Sequence, residues 1–241
     1  MDFDYKSYRG LIDMLREGGY VIADYHSYEK YPRCVILRHD IDTSIEKAVE
    51  MAELEASLGV SSTYFVLLSS ELYNTASKRS KEGLKRIAGL GHELGLHYDE
   101  TVYGDIPAAE VISSIKKEAD ILSSLLDREI TTVSMHRPSK KTLESNLQIP
   151  GMINSYGDVF FRGFKYLSDS RCRWREPVEE IIKSGTYSRL HILTHAFWYG
   201  EDSKSIGESL GGFIGCAEQD RYRILSENIT RIDEALKGEQ L

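Results

Sequence analysis

The stretch Cys34-Val-Ile-Leu-Arg-His-Asp-Ile-Asp42 determines how the rest of the chain is interpreted. Its apolar first half predicts a buried strand. Because side chains alternate along a strand, Asp40 and Asp42 are expected on the same side. Two buried carboxylates repel each other unless a cation or a shared proton lies between them, so the pair predicts a functional site with a metal as counter-charge. The alternative is that one acid caps the next helix and the other is solvated.

Short apolar runs alternate with amphipathic segments along the chain, which predicts βα units and a parallel sheet. The predicted strands are 34–42, 61–68, 93–96, 131–135 and 189–194, with two short strands within 152–167. The predicted helices are about 5–18, 43–59, 81–88, 107–126 and 176–183, with a long helix at the C-terminus. No linker or break in composition interrupts the chain, so we expect one domain over residues 1–241, in which 1–30 form a lead-in helix and loop.

Acids and imidazoles stand at the ends of five predicted strands: Asp40 and Asp42, His97, His136, Asp169 and His195. In barrels and open parallel sheets, the carboxyl ends of the strands are where chemistry is assembled. Carboxylates and imidazoles suit zinc, and also cobalt, nickel, manganese or iron. A bound metal lowers the pKa of water, a carboxylate can accept its proton, and a histidine can protonate the leaving group. The pattern predicts metal-dependent hydrolysis of an amide or ester.

Composition narrows the class of partner and the location. The net charge of −8 argues against nucleic acid or an anionic membrane as the main partner. No stretch reaches the 18 or so apolar residues of a membrane span, and the first residues lack the apolar core of a signal peptide. Cys34, Cys172 and Cys216 are too far apart in sequence for a paired-cysteine motif. We therefore expect a reduced, cytoplasmic setting.

Five stretches, in this order, resemble the motifs of the polysaccharide deacetylase superfamily, whose members remove acetyl groups from N-acetylated sugars. They are His39-Asp-Ile-Asp42, Gly91-His-Glu-Leu-Gly-Leu-His97, Ser134-Met-His-Arg-Pro-Ser139, Asp169-Ser-Arg-Cys-Arg-Trp174 and Leu193-Thr-His-Ala-Phe-Trp198. The resemblance runs from about residue 34 to about residue 200. It implies a distorted (β/α)7-type barrel, with one divalent metal at the C-terminal ends of the strands.

The resemblance also implies roles for individual residues. Asp40 would be the general base and His195 the acid that protonates the departing amine. Asp42 and His97 would be metal ligands. Asp169 and Trp174 would orient catalytic groups or line the acetyl pocket.

Three further features have alternative interpretations. The aromatic cluster that contains Trp198 is expected to form a platform for a sugar, or else the rim of the core. Arg137 is expected to hold the base carboxylate or a substrate phosphate, or else to be a surface residue. Arg171, Arg173 and Arg175 would contact an anionic sugar or form a solvated face.

Three departures from the superfamily pattern affect the metal site. Ile41 separates the two aspartates, which are adjacent in many members. Position 101 is Thr, where a second histidine is usual. His136 stands where an arginine usually steadies the base. We hypothesise that His136 replaces the missing ligand, in competition with Asp99, Glu100 and His39.

The sequence therefore predicts a cytoplasmic, metal-dependent deacetylase-like hydrolase of an N-acylated sugar, such as a precursor of cell-surface polysaccharide. One alternative is an amidohydrolase of a small non-sugar amide. The other is a binding scaffold that has kept the fold and lost turnover, which the altered second and third motifs would explain.

Overall fold

The fold is built on a parallel β-sheet, seen here in a computed structural model that describes residues 1–236. In these residues the strands are β1 (Val21–Ala23), β2 (Cys34–Ile41), β3 (Thr63–Leu67), β4 (Glu93–Asp99), β5 (Thr132–His136), β6 (Ile153–Asn154), β7 (Lys165–Ser168) and β8 (Arg189–Thr194). They are ordered β6-β5-β4-β3-β2-β8-β7, and β1 pairs with the first half of β2. Every pairing is parallel, as the alternating sequence pattern predicted.

Helices alternate with the strands along the chain and continue after the last of them. They are α1 (Tyr5–Glu17), α2 (Ile45–Ser57), α3 (Lys78–Gly89), α4 (Ala108–Leu126), α5 (Lys140–Glu144), α6 (Asp158–Phe161), α7 (Val178–Ser184), α8 (Ile206–Asn228) and α9 (Ile232–Ala235). Two short strands were predicted within 152–167, and β6 and β7 occupy that segment with α6 between them.

The start of α2 differs from the sequence prediction. The sequence predicted a helix from residue 43, but the helix begins at Ile45. The cap is Ser44, whose extended backbone lets its hydroxyl accept the N–H of Lys47 at 3.2 Å. The later start places Thr43 and the Ser44 cap between Asp42 and the first turn of the helix.

Strand β2 is buried along its whole length and separates two cores. Cys34 and Ile36 pack with Phe65 in an inner core, whereas Val35 and Leu37 pack with the helices in an outer core. This alternation is the period of two that a strand imposes. It follows that the inward side chains continue with Arg38 and Asp40, and that His39 faces the helices.

The sheet curls into an incomplete barrel, which confirms the predicted distorted (β/α)7-type class. Arg38 of β2 donates from Nη1 to the Ser155 hydroxyl just after β6 at 2.8 Å, although β3, β4 and β5 lie between these strands in the sheet. Such a contact requires the sheet to bend round on itself. In residues 1–236 no strand pairing joins β6 to β7, so this seam is not closed by backbone hydrogen bonds.

The chain divides into two compact units, Met1–Asp202 and Ser203–Leu241. The first contains the barrel and every candidate site residue. In the second, α8 carries exposed apolar side chains that include Ile206, Leu210 and Ile214. The expectation of one domain over residues 1–241 stays a prediction. Among the described residues, no helix is both long enough and apolar enough to cross a membrane.

Gly95 on β4 lies at a close contact inside the barrel. A Cβ atom there would come within 2.6 Å of the Phe65 ring and 2.9 Å of the Thr132 carbonyl oxygen. We expect Gly95→Ala to lower the free energy of unfolding by about 1–3 kcal/mol through overpacking. Gly10→Ala in α1 is the matched control: nothing lies within 4 Å of its Cβ position, so stability should rise by about 0.5–1 kcal/mol. Urea unfolding measures both, and equal effects would contradict the packing argument.

Candidate metal centre and catalytic residues

The ends of three strands bring Asp42, His97 and His136 together, and we call these residues the three-donor cluster. The Oδ1 atom of Asp42 lies 3.1 Å from His97 Nε2 and 3.4 Å from His136 Nδ1. The two histidine nitrogens are 3.2 Å apart. Asp42 follows β2, His97 lies in β4, and His136 is the last residue of β5. The juxtaposition is the one hypothesised from the sequence.

The dimensions and charge of the three-donor cluster fit a divalent cation. In a tetrahedral site with bonds of about 2.0–2.2 Å, ligand atoms are about 3.3–3.6 Å apart, close to the separations found here. Burial alone would raise the pKa of Asp42, but the His136 and His97 side chains hold it well below its usual range. The group is therefore a carboxylate, as a metal ligand must be.

The three rival ligands are not among the donors that converge on Asp42, although Asp99 Oδ2 lies 3.9 Å from His136 Nε2. His39 faces α2, where its Nε2 lies 3.0 Å from a Glu55 carboxylate oxygen. Asp99 accepts the backbone N–H of Thr101 at 2.9 Å. Glu100 accepts hydrogen bonds from the Ser139 backbone N–H and the Thr142 hydroxyl. Of the four candidates, His136 is the one that the structure brings to Asp42 and His97.

Asp40 faces the three-donor cluster and is held by Arg38 on the same strand. Arg38 donates from Nη2 to Asp40 Oδ2 at 2.8 Å, and its side chain is fully buried. Burial disfavours the guanidinium charge, but Asp40 keeps the pKa of Arg38 well above its usual range. Asp40 Oδ1 has no hydrogen-bond partner, and Oδ2 lies 3.6 Å from His97 Nε2. Asp40 is therefore a charged, oriented carboxylate with one free oxygen.

Arg38 was not predicted as a site residue from the sequence, and Arg137 was considered for this contact instead. Arg137 is exposed and lies just after β5 in a left-handed conformation with φ of 47°. The signal for Arg38 was present in the alternation of β2, which places residues 38 and 40 on one face. A buried arginine on that face requires a charged partner, and Asp40 is two residues away.

His195 approaches the three-donor cluster from β8. Its Nδ1 lies 2.6 Å from Asp169 Oδ1, and its backbone N–H reaches both oxygens of that buried carboxylate at 3.1 Å. Burial would lower the pKa of His195, but Asp169 raises it to about 9. Because Nδ1–H donates to Asp169, the other nitrogen is directed at the site: Nε2 lies 3.7 Å from Asp42 Oδ2. Asp169 thus orients a protonated imidazole.

The two tryptophans and the three arginines considered from the sequence lie near these residues along the chain. What the structure describes for them is packing or exposure to solvent. Trp174 and Trp198 are half-buried and pack against the outer core. Arg171, Arg173 and Arg175 are exposed. Packing at the core rim was one of the two interpretations of Trp198, and a sugar contact by any of these residues stays a prediction.

The ion pair inside the barrel is open to a direct test. Arg38→Leu leaves the Asp40 charge buried and unpaired, so we expect it to lower the free energy of unfolding by about 3–5 kcal/mol. Arg38→Leu combined with Asp40→Asn removes that charge and should recover part of the loss. Urea unfolding measures the effect, with Arg86→Leu as control. Arg86 pairs with Glu53 on the surface, and its loss should cost less than about 1 kcal/mol. A double variant no more stable than Arg38→Leu would contradict the charge argument.

Comparison with known proteins gave matches among solved structures. No family model and no curated protein matches the sequence. Similar structures include the peptidoglycan deacetylase PdaC from Bacillus subtilis, at 13% identity and a TM-score of 0.48, over 80% of this chain and 96% of that chain. The polysaccharide deacetylase Bc1974 from Bacillus cereus matches at 14% identity and 0.45, over 78% and 89%. BA3943, a CE4 family pseudoenzyme from Bacillus anthracis, matches at 14% identity and 0.44, over 79% and 64%.

These matches share fewer than one residue in six with the chain. The roles of the site residues in this chain therefore depend on the geometry of its own site.

Proposed function

We propose that this protein is a metal-dependent hydrolase of the polysaccharide deacetylase type, which removes an acyl group, such as acetyl, from an N-acylated sugar. The observation that carries the proposal is the convergence of three chemical functions at one end of the barrel. The three-donor cluster offers a cation site, Asp40 offers a free carboxylate oxygen, and His195 offers a proton. Base, cation and acid are the parts that amide hydrolysis requires.

The cation would be held by Asp42, His97 and His136, with zinc as the first choice for one carboxylate and two imidazoles. When bound, it would polarise the acyl carbonyl and lower the pKa of water. The protein's own groups would move the protons. Asp40 Oδ1 would accept a proton from the attacking water, since Oδ2 is already bonded to Arg38.

His195 would act on the leaving group. Its Nδ1–H is held by Asp169, so the proton available for transfer is the one on Nε2. Protonation of the amine as the C–N bond breaks turns a poor leaving group into a good one. The imidazole is protonated at neutral pH, because Asp169 raises its pKa to about 9. The proposal includes the earlier expectation of a cytoplasmic sugar substrate, a precursor of cell-surface polysaccharide.

Metal content tests the cation site. We expect near-stoichiometric divalent metal in the purified parent, and a large loss in Asp42→Ala, His97→Ala and His136→Ala, since each variant removes one of three donor groups. Elemental mass spectrometry after dialysis measures it. His26→Ala is the control, because His26 is half exposed and pairs with Glu93 instead; it should keep its metal. A folded parent that binds no zinc, cobalt, nickel or manganese on loading would refute the mechanism.

Turnover tests the reaction. Metal-loaded protein should release acetate from N-acetylated oligosaccharides or nucleotide-linked N-acetyl sugars. Asp40→Asn and His195→Gln should each lower kcat by about 100-fold or more, because each removes a proton-transfer group. Metal content and circular dichroism verify that the variants are loaded and folded. Turnover confined to small non-sugar amides would make the protein an amidohydrolase, and no turnover on either panel would favour the scaffold.

A further inference from the structure

A buried carboxylate lies outside the barrel wall and takes no part in the proposed chemistry. Glu55 of α2 is fully buried between this helix and the sheet. It accepts hydrogen bonds from the hydroxyls of Tyr8 at 2.6 Å, Ser62 at 2.5 Å and Tyr64 at 2.8 Å, and its Oε1 lies 3.0 Å from His39 Nε2. Burial would raise the pKa of Glu55, but His39 and the other polar neighbours lower it to about 2.

This carboxylate fixes the orientation of His39. A carboxylate only accepts hydrogen bonds, so His39 Nε2 must bear the hydrogen between them. The other ring nitrogen, Nδ1, lies 2.8 Å from the Thr194 hydroxyl. One face of the ring stacks on Tyr64, with centroids 4.5 Å apart. The imidazole is therefore held at both nitrogens and on one face.

The hydrogen bond between His39 and Thr194 joins two strands at a particular place. These residues are direct partners in the parallel pairing of β2 with β8. Both side chains face the helices. The next residues along the two strands are Asp40 and His195, whose side chains face the three-donor cluster. The hydrogen bond between His39 and Thr194 thus lies one residue before the proposed base, Asp40, on β2 and one residue before the proposed acid, His195, on β8.

We propose that Glu55, His39 and Thr194 form a positioning network that sets the separation of Asp40 and His195. Glu55 orients the His39 ring, and the ring holds the Thr194 side chain. The hydrogen bond between His39 and Thr194 then keeps the ends of β2 and β8 in register. The network explains why a fully buried carboxylate is kept in the helix layer, where apolar residues would pack at lower cost. The catalytic part of this inference rests on the proposed function.

The test compares three substitutions of buried threonines. Thr194→Val keeps the shape and removes the hydroxyl, Thr194→Ser keeps the hydroxyl, and Thr63→Val is the matched control. Thr63 is equally buried and donates to Glu93, the first residue of β4, at the opposite end of the strands from the three-donor cluster. The readouts are kcat and KM for acetate release, the visible spectrum of the cobalt-loaded protein, and the nitrogen shifts of the His39 and His195 imidazoles by NMR.

We expect Thr194→Val to lower kcat by about 10- to 100-fold, because small displacements of reacting groups have effects of that size. KM and the cobalt spectrum should be unchanged, and the His195 shifts should move. Thr194→Ser should return kcat to within about threefold of the parent, and Thr63→Val should match the parent in kcat. A network that only stabilises the fold would instead make Thr194→Val and Thr63→Val alike: less stable, with kcat and the His195 shifts unchanged. That result would overturn the inference.

The NMR arm separates this inference from the proposed function. If the parent releases no acetate, the proposed function fails. The His195 shifts of Thr194→Val still decide whether the hydrogen bond between His39 and Thr194 positions the His195 ring. If Thr194→Val does not fold, Glu55→Gln replaces it. An amide has one accepting oxygen in place of two, so the His39 and His195 shifts should both move. Unchanged shifts in Glu55→Gln would overturn the inference as well.

Discussion

The ion pair between Arg38 and Asp40 is the interaction on which the rest of the site depends. Both groups lie on the inner face of β2, where an unpaired charge would cost several kcal/mol. The same guanidinium also donates to Ser155 across the barrel, so one side chain both orients Asp40 and joins β2 to the segment after β6. The position of Asp40 is thereby linked to the curl of the sheet. The Oδ2 atom that accepts from Arg38 also lies 3.6 Å from His97 of the three-donor cluster, and Oδ1 has no hydrogen-bond partner.

The period of two in β2 lets one strand serve two purposes. Arg38 and Asp40 point into the barrel, and His39 between them points into the helix layer. If the register of β2 shifted by one residue, Arg38 and Asp40 would point into the helix layer. His39 would then point into the barrel, so that a single imidazole would lie where the ion pair now lies. The pairing of β2 with β8 is therefore specified on both faces: by charge on the inside and by the contact of His39 with Thr194 on the outside.

Much of this architecture was predictable from local patterns. Alternating apolar and amphipathic segments predicted the parallel sheet, and the polar residues at strand ends predicted the approach of His136 to Asp42 and His97. Local sequence patterns do not show which residues meet across the barrel. The contact of Arg38 with Ser155 joins residues 117 apart in sequence, and nothing in either segment names the other. Arg137 was considered for the base because of its place in a motif, whereas pairing depends on which face of which strand a side chain occupies.

The strand order has a consequence for how the chain is made. One edge of β2 pairs with β8, whose first residue, Arg189, is opposite Cys34. A ribosome delivers β8 only after it has made β2 and the five strands between them in sequence. Throughout that interval β2, whose first half is apolar, has one unpaired edge, which is the kind of surface that templates aggregation. Completion of the sheet is therefore a late event in biosynthesis. Until synthesis passes β8, the edge of β2 that β8 will cover has backbone N–H and C=O groups without their final partners.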